Sequence, residues 1–266
     1  MKSYDFEYDS LRLSDKGFVI CTFDSTSIET VSNGSYISFN TVSTLNGTKH
    51  ELTSSVYEDC LTATLQICKN PCAANDLEEI SLEDMRDIMR WLNRKSFHKF
   101  KLLGDDEYLN IYFEASFNVS KIEINGLLYG FELEMFTNTP FGLHEPVIIN
   151  INNEQENGTH SIISKSDEEG YIYPKMEITM MSGGDLEIYN AMEDRTMIIK
   201  NCSSDEIITV DYPIITSSIS NHKIQNDFNW KFFRIATEFK NKHNEVTVSL
   251  PCTIKMQYSP VVKVGV

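Results

Sequence analysis

The chain has 266 residues, 41% hydrophobic and 23% charged, which suits one large core or two ordinary ones and argues against global disorder. Its 39 acidic and 23 basic residues leave a net charge of -16. That argues against specific nucleic-acid binding and against an anionic membrane, since both need clustered Lys and Arg.

The opening Met1-Lys2-Ser3-Tyr4-Asp5-Phe6-Glu7-Tyr8 has no apolar signal-peptide region, and no apolar run reaches the roughly 18 residues of a membrane span. Phe18-Val19-Ile20-Cys21-Thr22-Phe23 reads as a strand after the turn residues Asp15-Lys16-Gly17. Four Asn-Gly pairs, Asn33-Gly34, Asn46-Gly47, Asn125-Gly126 and Asn157-Gly158, lie between β-prone runs and predict hairpins, because both residues accept positive φ. Tyr36-Ile37-Ser38-Phe39-Asn40 alternates as a half-buried strand does. In 61–67 the residues Leu61, Ala63, Leu65 and Ile67 share one face.

One strong helix follows, over 81–93. Ser81 is placed to cap it, with Asp84 completing a capping box. Glu83, Asp84 and Asp87 sit toward its positive end, and Arg90, Arg94 and Lys95 toward its negative end. Leu82, Met85, Ile88, Met89 and Leu92 form a stripe at helical spacing that must bury against a sheet. Trp91 beside it reads as core packing rather than a ligand or partner anchor. Strands are expected at 100–103 and 108–117, then a hairpin pairing Ile122-Glu123-Ile124 with 127–135. Asp105-Asp106-Glu107 reads as an acidic turn, since it lacks the spaced oxygens of a calcium loop.

Pro140-Phe141-Gly142 and Pro146 mark a linker. They divide the chain into an N-terminal β domain with one packed helix, 1–143, and a second β domain, 144–266. In the second, short strands recur at regular intervals, as in an antiparallel sandwich. Its most aromatic run, Phe228-Asn229-Trp230-Lys231-Phe232-Phe233-Arg234-Ile235, reads as a strand covered on both sides, with Phe228, Trp230 and Phe232 on one face.

Residue chemistry offers no site. Nucleophile elbows, zinc-protease helices, P-loops and dinucleotide fingerprints are all missing. The six histidines, His50, His98, His144, His160, His222 and His243, are scattered. Of the six cysteines, Cys68 and Cys72 have a metal-like spacing but no second Cys or His pair. The reading is therefore no catalytic, cofactor-binding or metal-binding residues and no cofactor, although a triad assembled in space is not sequence-local.

Four stretches, in their order and spacing, carry a resemblance. They are the helix ending Arg90-Trp91-Leu92 with the exit Thr139-Pro140-Phe141-Gly142; Gly170-Tyr171-Ile172-Tyr173-Pro174 with Gly184-Asp185-Leu186-Glu187-Ile188; Glu206-Ile207-Ile208-Thr209-Val210-Asp211; and 228–235 with Asn244-Glu245-Val246-Thr247-Val248 and Tyr258 through Lys263-Val264-Gly265. The chain resembles the siphophage distal tail proteins (Dit). It departs from that pattern at Asp205 and at Asn241-Lys242-His243, where glycines are expected.

The resemblance implies an N-terminal domain that assembles as a hexameric ring and a C-terminal galectin-like β-sandwich, with no catalysis. It implies a hub at the distal tail tip of a virion, made in the bacterial cytoplasm. Its partners would be the tail tube protein, the tail-associated tip protein and a receptor-binding protein, and DNA would pass through the ring without specific contacts. The alternative is a carbohydrate-binding module for host cell-wall glycan, resting on the sandwich and on aromatics such as Trp230. A more distant one is an enzyme with a spatially assembled site.

Overall fold

The structure, a computed structural model, describes residues 3–23, 36–44, 47, 49–71, 79–104 and 110–263. The expected turns at Asn33-Gly34 and Asn46, Cys72, the acidic turn 105–107, the strand start at Tyr108 and Val264-Gly265 lie outside the described residues. The chain is mostly strand and divides into two compact units, residues 1–143 with Lys263 and residues 144–262.

The first unit contains β1 (Asp5–Tyr8), β2 (Leu11–Arg12), β3 (Phe18–Cys21), β4 (Ile37–Ser43), β5 (His50–Tyr57) and β6 (Thr62–Lys69). The helix α1 (Leu82–Leu92) follows, then β7 (His98–Leu103), β8 (Ile111–Ile124) and β9 (Leu127–Thr137), with β10 (Gly142–His144) at its end. Its main sheet is antiparallel in the order β2-β1-β7-β8-β9-β6-β3. The β8–β9 hairpin turns at Asn125 (φ 54°) and Gly126 (φ 81°), the left-handed pair that its twist requires.

Why α1 stands where it does follows from its ends and its buried face. The Ser81 side chain accepts from the Asp84 amide, and Asp84 returns a bond to the Ser81 amide, so the capping box forms. Asp84 also meets Lys69 of β6 at 2.9 Å, and these bonds hold its carboxyl below the usual range. The buried face is Ile88, Trp91 and Leu92, flanked by half-buried Met85 and Met89. Trp91 is core, as expected: its ring stacks on Phe6 at 5.7 Å and its indole N–H donates to the Tyr8 carbonyl at 3.1 Å. Leu82 departs from the expected stripe and is 70% exposed. At 3.6 residues per turn it lies about 120° around the helix from Ile88, at the rim of the stripe, and the buried face is turned toward Trp91 on the far side.

The second unit is a two-sheet sandwich. Its strands are β11 (Val147–Asn153), β12 (Gly158–Ile163), β13 (Gly170–Ile172), β14 (Lys175–Met180), β15 (Gly184–Asn190) and β16 (Arg195–Cys202). They continue with β17 (Ile207–Asp211), β18 (Ile214–Ser217), β19 (Ile235–Thr237), β20 (His243–Val248) and β21 (Cys252–Tyr258). One sheet runs β11-β21-β14-β17-β18 and the other β12-β20-β15-β16, with β13 and β19 as a separate pair. One core holds the sheets together: Ile178, Val210 and Ile254 from the first meet Leu186, Ile199 and Val246 from the second.

Two expectations fail here. Asn157-Gly158 is not a hairpin, because β11 and β12 belong to different sheets. Asn157 does take φ 58°, but the turn carries the chain across the sandwich. It is tied by Asn153, whose amide donates to Gln155 and Leu250 carbonyls at 2.8 Å. A Cβ on Gly158 would stand 1.9 Å from the Asn153 side-chain oxygen, so only glycine fits. The second failure is the run 228–234, which is not a strand. Trp230 takes φ 59°, which breaks the alternation and turns its ring outward. Phe228, Phe232 and Phe233 are buried, whereas Trp230 is 57% exposed.

Candidate assembly surface

Among the described residues of the first unit, the β4–β5 hairpin stands out as exposed along nearly its whole length. These strands pair, among the described residues, only with each other, from Ile37 opposite Tyr57 to Ser43 opposite His50. A bulge after Asn40 shifts the register. Strand alternation then sends Phe39 and Leu52 to one face and Val42 and Val56 to the other. All four are more than half exposed, as is Tyr36 at the entry. At the base, the Tyr57 ring meets Phe141 edge-on at 4.8 Å. Tyr36-Ile37-Ser38-Phe39-Asn40 is thus a strand, but an exposed one rather than the half-buried one expected.

An isolated two-stranded hairpin is marginal in water, and apolar side chains on both of its faces make exposure costlier still. Among the described residues no further strand joins its outer edges, the feature natural proteins usually blunt or cover. Two apolar faces and free edges are what a strand pair inserted into another subunit would need.

The histidines gain partners that sequence order does not show. His98 sits between Ser96 (2.8 Å) and Asp9 (3.6 Å), in the order of a catalytic triad. Asp9, however, is committed to Arg94 at 2.7 Å, whose guanidinium also covers the Tyr8 ring, so the group fastens the end of α1 to β1. His243 meets Ser161 at 2.7 Å on the surface. His222 is buried against Glu206 at 2.5 Å and the Lys200 carbonyl at 3.0 Å. Burial alone would raise the Glu206 carboxyl. Bonds from Ser217, His222 and the Ser203 amide outweigh that and hold it below the usual carboxylate value. This network, which the sequence did not signal, ties β16, β17 and β18 together.

Asp205, where the resemblance led us to expect glycine, takes φ 61°. The 241–243 turn has no such residue and closes instead on the Asn241 side chain, which accepts from the His243 amide at 3.0 Å. Cys68 is buried beside Cys21. Burial pushes the Cys202 thiol up to about 11 and Cys252 up to about 12, so neither is a ready nucleophile at neutral pH. Among the described residues, no three His, Cys, Asp or Glu side chains converge as metal ligands would, and no helix is long and apolar enough to cross a membrane.

Two family models match this chain, one over each unit. One, described as a phage tail protein N-terminal domain, matches residues 1–139, and the other, a phage tail C-terminal domain, matches 141–258. The chain belongs to this phage tail protein family. Among curated proteins no match is found. Among solved structures, the chain is similar to the SPP1 Dit (gp 19.1) protein, titled a paradigm of the hub adsorption apparatus in phages infecting Gram-positive bacteria. The TM-score is 0.66 over 97% of this chain and 99% of that one, at 9% identity. This phage tail protein therefore shares the Dit fold across both units, although almost none of the sequence is shared.

Proposed function

We propose that this phage tail protein is the hub of the distal tail tip, a ring of six copies closed through its N-terminal unit. The observation that carries the reading is the β4–β5 hairpin. Within a fold shared with a tail hub protein, it presents Phe39 and Leu52 on one face and Val42 and Val56 on the other, each more than half exposed. In a closed ring each subunit uses two different surfaces, one donating and one receiving. The hairpin is the donating surface, laid on the neighbour's sheet so that its apolar faces leave water.

In this reading the ring sits on the tail tube protein, holds the tail-associated tip protein below, and carries receptor-binding proteins through a galectin-like C-terminal sandwich. DNA passes through the ring, and the net charge of -16 keeps it from sticking. The role is structural, without catalysis. Imaging of the purified protein, alone or with its tail partners, tests the stoichiometry. Six-fold rings support the reading, and a chain that stays monomeric in the assembled tail removes it.

A further inference from the structure

The sandwich carries a row of aromatic rings that folding alone does not account for. Trp230 and Tyr212 both rest on buried Phe232, at 6.4 and 5.2 Å between ring centres. Tyr212 stacks on Tyr173 at 4.0 Å with planes 6° apart, and Tyr173 meets Tyr171 edge-on at 5.5 Å. Three members of the row, Trp230, Tyr212 and Tyr171, are each more than half exposed. Beyond Tyr171 the row opens into a cleft of about 560 Å³, in the size range of small-molecule sites, with Phe239 (82% exposed) among its lining residues.

These rings are held in place. The Arg234 guanidinium lies 3.7 Å from the Tyr171 ring centre and is fixed by Glu193 at 3.0 Å. Trp230 is presented by a turn that the Asn229 side chain locks. Asn229 accepts from the Lys231 and Ile198 amides at 3.1 Å and donates to the Thr196 carbonyl at 3.0 Å. A bulky residue at φ 59° is strained, and this strain serves to expose a large aromatic ring.

Two of the basic side chains beside the row are paired. Arg234 is matched by Glu193, and Lys175 by Asp211 at 3.0 Å. Lys240 also lines the cleft, but shares it with Glu169, Glu193 and Glu238, so acidic side chains outnumber basic ones there, and the chain as a whole repels polyanions. Tyr173, Tyr212 and Phe232 pack on one another and the exposed rings are bordered by polar pairs, whereas a protein interface has a broad apolar core depleted of charge. A rigid aromatic surface with hydrogen-bonding borders fits the apolar ring faces and hydroxyl edges of an uncharged sugar chain. We infer that Trp230, Tyr212 and Tyr171 form a binding platform for a neutral polysaccharide, whose chain runs along the row into the cleft. The platform lies wholly within the second unit and does not depend on ring assembly.

Titrating the full chain with neutral glucans, galactans, rhamnans and chitooligosaccharides tests this, with poly(glycerol phosphate) teichoic acid as the polyanionic control. Trp91 is buried, so a change in tryptophan fluorescence reports Trp230. The expected result is saturable binding of at least one neutral glycan. Trp230→Ala and Tyr212→Ala should each weaken it by about tenfold or more at an unchanged melting temperature. Binding that survives both substitutions, teichoic acid as the sole ligand, or no neutral ligand at millimolar concentration would overturn the proposal. So would capture of another tail protein, rather than a glycan, as the property Trp230→Ala abolishes.

Discussion

Two hairpins of the first unit differ in what covers them. In β8–β9, Phe117, Phe131, Leu133 and Met135 are fully buried, in part against the helix and β1. In β4–β5, Phe39, Val42, Leu52 and Val56 stand in solvent. Both are long antiparallel pairs rich in alternating apolar residues. The first hairpin builds the domain, and the second leaves it with unspent hydrophobic surface. Local pattern therefore specifies a strand without saying whether its partner is in the same chain.

Several substitutions would sharpen or break that contrast. The largest effect belongs to the buried hairpin. Phe117 packs on Phe6, Tyr8 and Phe100, so Phe117→Ala should destabilise the first unit by about 3–5 kcal/mol in denaturant unfolding. A cost below about 1 kcal/mol would mean that β8–β9 is no better covered than β4–β5.

The sandwich should show the same dependence on burial in polar form. Glu206→Ala leaves buried His222 and Ser217 without their carboxylate, and should cost about 2–3 kcal/mol at neutral pH. The Glu206 carboxyl is held low in the folded state, so its contribution is present above the unfolded value, about 4.3, and is lost as pH falls through the lower folded value. Melting of the second unit should thus fall steeply in acid, and Glu206→Gln should flatten that limb. An identical acid profile in the variant would assign the stability elsewhere.

Smaller effects follow. Ser81→Ala removes the cap that seats Trp91 and should cost about 1 kcal/mol, with Ser81→Thr restoring most of it. Smallest of all, Phe39→Ala should change the stability of the isolated subunit by no more than about 0.5 kcal/mol, because an exposed side chain has little to lose.

The helix, its capping box, the buried Trp91 and the Asn125-Gly126 hairpin were legible in the sequence because each depends on neighbours a few residues away. The sandwich was legible as a rhythm of short strands. What escaped depends on distant contacts. Leu82 obeys helical spacing but nothing in the described structure lies over it. Asn157-Gly158 makes a left-handed turn, yet the strands it joins belong to different sheets, which a turn signal does not encode. The aromatic run 228–235 reads as a strand until Trp230 reverses the backbone and faces water. The candidate assembly surface was least legible, since exposed and covered strands alternate alike, and only the fold shows which one is exposed.

The central claim is that β4–β5 is the contact between subunits, and sedimentation of Phe39→Asp/Leu52→Lys against the wild-type chain tests it most directly, under conditions where the wild type forms rings. The account predicts that the variant sediments as a folded monomer with an unchanged circular dichroism spectrum. Intact rings of the variant would contradict it.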